Sequence, residues 1–195
     1  MVRKVVEHEG IVLAKCIGWE KMEIANLLCK KFNVSERFRL YSNSDIIGVE
    51  LGGALKNIVA LGAGMIDGLG LGDNAKAAFV TWSWNEVISL GTALGAKTET
   101  FYGLAGLGDF VATCVSNLSR NHHVGFELAR GHSLEEITNS MSQVAEGVHT
   151  TKAIHKLMPE LNLKTPIINC IYKVLFENLP AKEALADFGK LTINR

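Results

Sequence analysis

DIIGVELGGALKNIVALGAGMI, residues Asp45 to Ile66, decides the fold. Apolar and small residues occupy most of its circumference when it is wound at 3.6 residues per turn. A helix of that kind is buried on several sides, which needs a body of other helices around it. The chain after it supplies them. Gly68 to Asn74 (GLGLGDN) reads as a loop, and Asp73 can cap a helix over about Asn74 to Leu94. Gly95 stands where that helix should stop. GLAGLGD (Gly103 to Asp109) is a second glycine-rich turn, followed by a short helix from Asp109 to about Val115. Ser119 can cap a helix ending at Gly131, and Ser133 with Glu136 forms a capping box. A further helix covers about Gly147 to Leu161. Pro166 suits the first turn of another that ends near Glu177, and Pro180 opens a last short one.

The residues before Asp45 read differently. GIVLAKCI (Gly10 to Ile17) is a branched apolar run of strand type. Glu20 to Phe32 has helical spacing, and RFRLY (Arg37 to Tyr41) alternates as a second strand. The expected fold class is therefore mainly α, a multi-helix domain over residues 45–195, preceded by a short βαβ remnant over 1–44.

Composition narrows the function. The 195 residues are 48% hydrophobic and 21% charged, as in soluble globular proteins. Twenty basic residues balance twenty acidic ones, so a nucleic-acid reader working by bulk charge is not expected. Asn57 to Ile66, bounded by Lys56 and Asp67, is short of the roughly 20 apolar residues of a membrane span. The start, MVRKVVEHEG, has no apolar run after its basic residues and is not of signal-peptide type. Cys16, Cys29, Cys114 and Cys170 are scattered without a C-x-x-C, which points to free thiols in a reducing cytoplasm.

Three features can carry chemistry. Lys56 and Asn57 sit among apolar residues. A lysine held from water loses charge stability and moves towards a proton-transfer range, whereas one that snorkels does not. Asp109, after three glycines, is either the acid that holds such an ammonium or a plain helix cap, and Thr113 shares its helix face. Ser119, Arg120 and Asn121 stand at a helix start, where unpaired N–H groups and the helix dipole favour an anion. Hydroxyl, guanidinium and amide there make a phosphate clamp, or else a capped and solvated helix tip. His122 and His123 have no metal-type partner one turn on and read as surface residues, so no metal site is expected. The G-x-G-x-x-G fingerprint is absent. Its looser form occurs once, at Gly70 to Ala75, after a helix rather than a strand, and the chain is not expected to grip a dinucleotide pyrophosphate by itself.

Four blocks in order resemble one family: GVELGGALKNIVALGAGMIDGLGLGDNAKAA from Gly48, GLAGLGDFVATC from Gly103, SRNHHVGFELARG from Ser119 and QVAEGVHTTKAI from Gln143. They are similar to the bacterial type of NAD(P)-dependent glycerol-3-phosphate dehydrogenase, over about Arg37 to Phe188. The resemblance implies a helical substrate domain like those of the 6-phosphogluconate dehydrogenase-like group, behind a Rossmann-type nucleotide domain. It implies reversible reduction of dihydroxyacetone phosphate to sn-glycerol 3-phosphate with NAD or NADP as cofactor, in the supply of glycerophospholipid precursors. By resemblance Lys56 is the catalytic lysine and Asp109 its orienting acid. Asn57 and Thr113 touch substrate, and Ser119, Arg120 and Asn121 hold its phosphate. Arg120, Val144 and Glu146 face the cofactor. The family's glycine-rich strand–loop–helix is missing, so residues 1–44 look like the tail end of that domain, and the chain is expected to be inactive alone. A homo-oligomer in the cytoplasm is expected. Two other readings stay open: a non-catalytic helical module for dimerisation or partner binding, and a related dehydrogenase with another phosphorylated or carboxylated substrate.

Overall fold

The computed structural model describes residues 13–18, 22–32, 38–116 and 118–186. They fall into two compact units. One takes the described residues up to Gly53 together with Gly91–Asp109, and the other takes Ala54–Leu90 and the residues from Phe110 onward.

The first unit begins with strand β1 (Leu13–Gly18), helix α1 (Met22–Phe32) and strand β2 (Phe38–Asn43). The strands pair in parallel, from Leu13 opposite Phe38 to Gly18 opposite Asn43. A parallel pair needs a crossover, and α1 provides it. Ala25 and Cys29 of α1 and Leu40 of β2 are buried, while Ile24 and Leu27 stay exposed. Helix α2 (Ile46–Gly68) starts here and runs on into the second unit.

Asp45 caps α2. Its Oδ1 accepts from Gly48 N at 2.9 Å, and its Oδ2 accepts from Lys97 N at 2.8 Å and Thr100 Oγ1 at 2.7 Å. Burial by itself would raise the Asp45 pKa. The bonds from Thr100, Gly48 and Lys97 together outweigh it and hold the carboxyl below its ordinary range. One side chain thereby fixes the starts of α2 and of the short helix α4 (Thr98–Tyr102).

The glycine-rich GLAGLG stretch forms one turn of π-helix over Leu104–Gly108. A side chain at Gly106 would overlap the Phe101 backbone, and one at Gly52 would meet the Ala105 carbonyl oxygen at 2.9 Å. The glycines there serve close backbone approach.

The second unit holds the rest of α2 together with α3 (Asp73–Ala93, the part to Leu90), α5 (Asp109–Val115, from Phe110), α6 (Arg120–Ala129), α7 (Leu134–Ser140), α8 (Glu146–Leu161) and α9 (Pro166–Phe176). Leu55, Ile58, Leu61 and Met65 of α2 and Phe79 and Val87 of α3 are buried core residues. All 23 residues of α2 taken together are long and apolar enough to cross a membrane by length and composition, more than the ten-residue run suggested. Of its most apolar window, 61% is buried inside the protein, as in a core helix.

Helix ends follow their local signals. Gly95 adopts φ 94°, with Gly95 N bonded to Thr92 O and Ala96 N to Gly91 O, a Schellman stop for α3. The Ser133–Glu136 capping box opens α7 with both reciprocal bonds made. Helix α9 is capped from a distance. The hydroxyl of Thr165, just before it, bonds the Met158 sulfur, and the buried Glu86 of α3 accepts from Ile167 N at 3.0 Å and Ile168 N at 3.1 Å. A carboxylate there meets two unpaired N–H groups and the positive end of the helix dipole.

Candidate functional site

The second unit draws three of the singled-out stretches together, where α2, α6 and α8 meet. The Asn121 amide donates to Asn57 Oδ1 at 3.1 Å and accepts from Gly147 N at 2.8 Å. The Asn57 amide donates to Glu146 Oε2 at 3.4 Å. Asn57 and Asn121 are both buried, so this chain of amides satisfies polar groups that water cannot reach. Gly147 is required at the junction. A Cβ there would meet the Asn57 carbonyl oxygen at 2.5 Å and Asn121 Oδ1 at 2.8 Å. Lys56 and Arg120 are the chain neighbours of the two bonded asparagines.

Close packing sets the spacing of α2 and α6. A side chain at Gly125 would overlap the Leu61 carbonyl, and one at Gly64 would overlap the His122 carbonyl. With glycine at both places the backbones lie against each other. The contacts Asn57–Asn121, Leu61–Gly125 and Gly68–Phe126 advance together, so the two helices run in the same sense.

Ser119 is the N-cap of α6 and accepts from His122 N at 3.3 Å. Arg120 is exposed, and its Nη1 donates to Gln143 Oε1 at 2.6 Å. Val144 on the same connection and Glu146, the first residue of α8, are exposed. Lys56 is half-buried on α2. Asp109 belongs to the first unit and Lys56 to the second. The Asp109 backbone is already helical, with φ −70° and ψ −32°, so it is the first residue of α5 rather than an N-cap. Thr113 lies half-buried one turn on. Beside it, burial pushes the Cys114 thiol up to about 12 against the nearby Lys56 and Lys76 charges, leaving no thiolate at neutral pH.

One expectation is overturned. His122 is not a surface residue; it is 6% exposed, and its Nε2 lies 2.6 Å from Asp67 Oδ2. The same oxygen accepts from Lys76 Nζ. Burial would raise the Asp67 pKa, but the bonds from Lys76 and His122 outweigh that and hold it below the ordinary range. An ionised carboxylate only accepts, so the proton of this bond sits on His122 Nε2. The available sequence signal was that His122 shares a helix face with Gly125 and Phe126, at i+3 and i+4. Gln143 was also missed, although it opens the QVAEG block.

A family model described as the C-terminus of NAD-dependent glycerol-3-phosphate dehydrogenase matches residues 45–186. The chain belongs to this family. A Dehalococcoides mccartyi protein named glycerol-3-phosphate dehydrogenase (NAD(P)+) is 56% identical over 154 residues, 79% of this chain and 43% of that one. A Syntrophotalea carbinolica protein of the same name is 49% identical over 177 residues, 91% of this chain and 53% of that one. The crystal structure of glycerol-3-phosphate dehydrogenase from Coxiella burnetii superposes with a TM-score of 0.86 at 36% identity, over 91% of this chain and 55% of that one. The chain spans about half the length of the curated relatives it matches.

Within the described residues of this glycerol-3-phosphate dehydrogenase C-terminal domain, the one loose fingerprint match does not have the setting of a pyrophosphate loop. Gly70 and Gly72, the loose fingerprint match, form the turn between α2 and α3, where Gly70 N and Leu71 N close the end of α2 on Asp67 O and Ile66 O. A phosphate-cradling loop needs a strand in front and a free helix N-terminus behind, and the strand is not there.

Proposed function

We propose that residues 45–195 are the substrate-binding and catalytic domain of an NAD(P)-dependent glycerol-3-phosphate dehydrogenase, with residues 1–44 the tail end of a dinucleotide-binding domain. The substrate is dihydroxyacetone phosphate, reduced to sn-glycerol 3-phosphate. The observation that carries this reading is the Asn121–Asn57 bond, which ties the tip of α6 to the stretch of α2 bearing Lys56. A small phosphorylated ketone needs an anion site and a proton donor a few ångströms apart. Arg120, Ser119 and Asn121 at the N-terminus of α6 would hold the phosphate through charge-assisted bonds.

A bound NADH or NADPH supplies the hydride. As negative charge builds on the carbonyl oxygen, Lys56 would give it a proton, with Asn57 and Thr113 bonding substrate oxygens. Val144 and Glu146, with Arg120, would face the cofactor. The sequence holds no G-x-G-x-x-G fingerprint and the described residues no pyrophosphate loop, so the purified chain is expected to give no turnover. We place the enzyme in the cytoplasm as a homo-oligomer.

Calorimetric titration with sn-glycerol 3-phosphate tests the reading. Wild type should bind, and Arg120→Ala should weaken binding roughly 10–100-fold, the loss of a hydrogen bond to a charged group. A folded wild-type chain that ignores the ligand would sink the proposal. It would favour the second reading, a non-catalytic association module, for which the 81% exposed Leu118 and its exposed neighbour Val115 speak.

A further inference from the structure

We infer that His122, held by Asp67, is a positioning residue for the phosphate-binding tip of α6; this rests on the assignment of Arg120 and Asn121 proposed above. The first turn of a helix has few intrahelical bonds of its own and frays unless something else holds it. Here, besides the side-chain bonds of Arg120 and Asn121, two bonds to one residue hold it. The His122 backbone N–H is capped by Ser119 Oγ, and its imidazole is pinned to Asp67 near the end of α2. Arg120 and Asn121 immediately precede His122, so its ring fixes the rotation of the turn that aims them. The Gly64 contact seats the His122 carbonyl against α2, leaving the turn little room to slide.

Asp67 lies eleven residues after Lys56 on the same helix, about 16 Å along its axis at 1.5 Å per residue. The pair therefore acts on the substrate only through the helix tip. Lys76 from the first turns of α3 bonds the same oxygen and offsets its charge, so the anchor sets little negative field against an incoming phosphate.

The test uses two substitutions at His122 and one at its partner. His122→Phe keeps an aromatic ring, somewhat larger than imidazole, and removes the donor. His122→Gln keeps an N–H at similar reach. Asp67→Ala cuts the same bond from the other end. Calorimetry with sn-glycerol 3-phosphate should give about tenfold weaker binding for His122→Phe and Asp67→Ala, with His122→Gln restored to within about threefold of wild type. Amide exchange, read in parallel, should speed up over residues 120–124 in His122→Phe and Asp67→Ala while α9 keeps wild-type protection. Binding and exchange unchanged in both would overturn the inference, as would exchange accelerated equally in α9, the mark of general destabilisation. If wild type itself binds no ligand, the functional reading fails, and the exchange pattern alone decides whether His122 anchors the turn.

Discussion

The β1–α1–β2 segment and the α2–α6–α8 junction show different kinds of contact. In the first, a backbone ladder pairs the strands, and among the described side chains Ala25, Cys29 and Leu40 are buried while Ile24 and Leu27 are exposed. In the second, backbones touch through Gly64, Gly125 and Gly147, and buried amides finish the contact. A ladder tolerates a changed side chain because its bonds are made by the main chain. A glycine contact tolerates none, because one methyl group separates the helices. The part proposed to do chemistry is thus also the part with least slack.

The largest expected effect breaks the tight side of that contrast. Gly125→Ala puts a methyl group into the Leu61 carbonyl and should cost about 1–3 kcal/mol by overpacking, read as a lower denaturant midpoint at unchanged slope. Next comes Asp45, the one side chain that fixes two helix starts in the first unit. Asp45→Ala removes the cap of α2 and should cost about 0.5–2 kcal/mol at neutral pH. The Asp45 pKa is depressed in the folded state, so its contribution is complete above the ordinary aspartate pKa and vanishes as pH falls through the lower folded value. Urea unfolding of wild type and Asp45→Ala between pH 7 and pH 3 should converge towards the acid end. Convergence towards the alkaline end would refute the clamp. The smallest effect sharpens the loose side. Leu27→Ser, at an exposed site on α1, should change stability by no more than about 0.5 kcal/mol.

Local chemistry was readable in advance. Ser133 with Glu136, Gly95, Gly131 and Pro166 mark helix ends because the groups they satisfy are within a few residues. The two strands and the crossover were legible for the same reason. What escaped was every feature made by residues far apart in the chain. Asp45 reaches Lys97 and Thr100, Glu86 reaches Ile167, and Asp67 reaches His122. No periodicity marks a polar side chain whose partner is fifty or eighty residues away. His122 was misread on that account, since a histidine beside a helix cap looks solvated until an opposing carboxylate is known. The asparagines were singled out by their neighbours Lys56 and Arg120, whereas their bond to each other belongs to the fold.

Glu86 carries a consequence for how the chain matures during synthesis. Its carboxylate sits in the interior on account of Ile167 and Ile168, which leave the ribosome some eighty residues later. Until they arrive, sealing that part of the α3 surface would bury the carboxyl without those two backbone donors, so α9 acts as a lock on the earlier helices. A product terminated before Pro166 forfeits that lock and should be handed to proteases as unfinished.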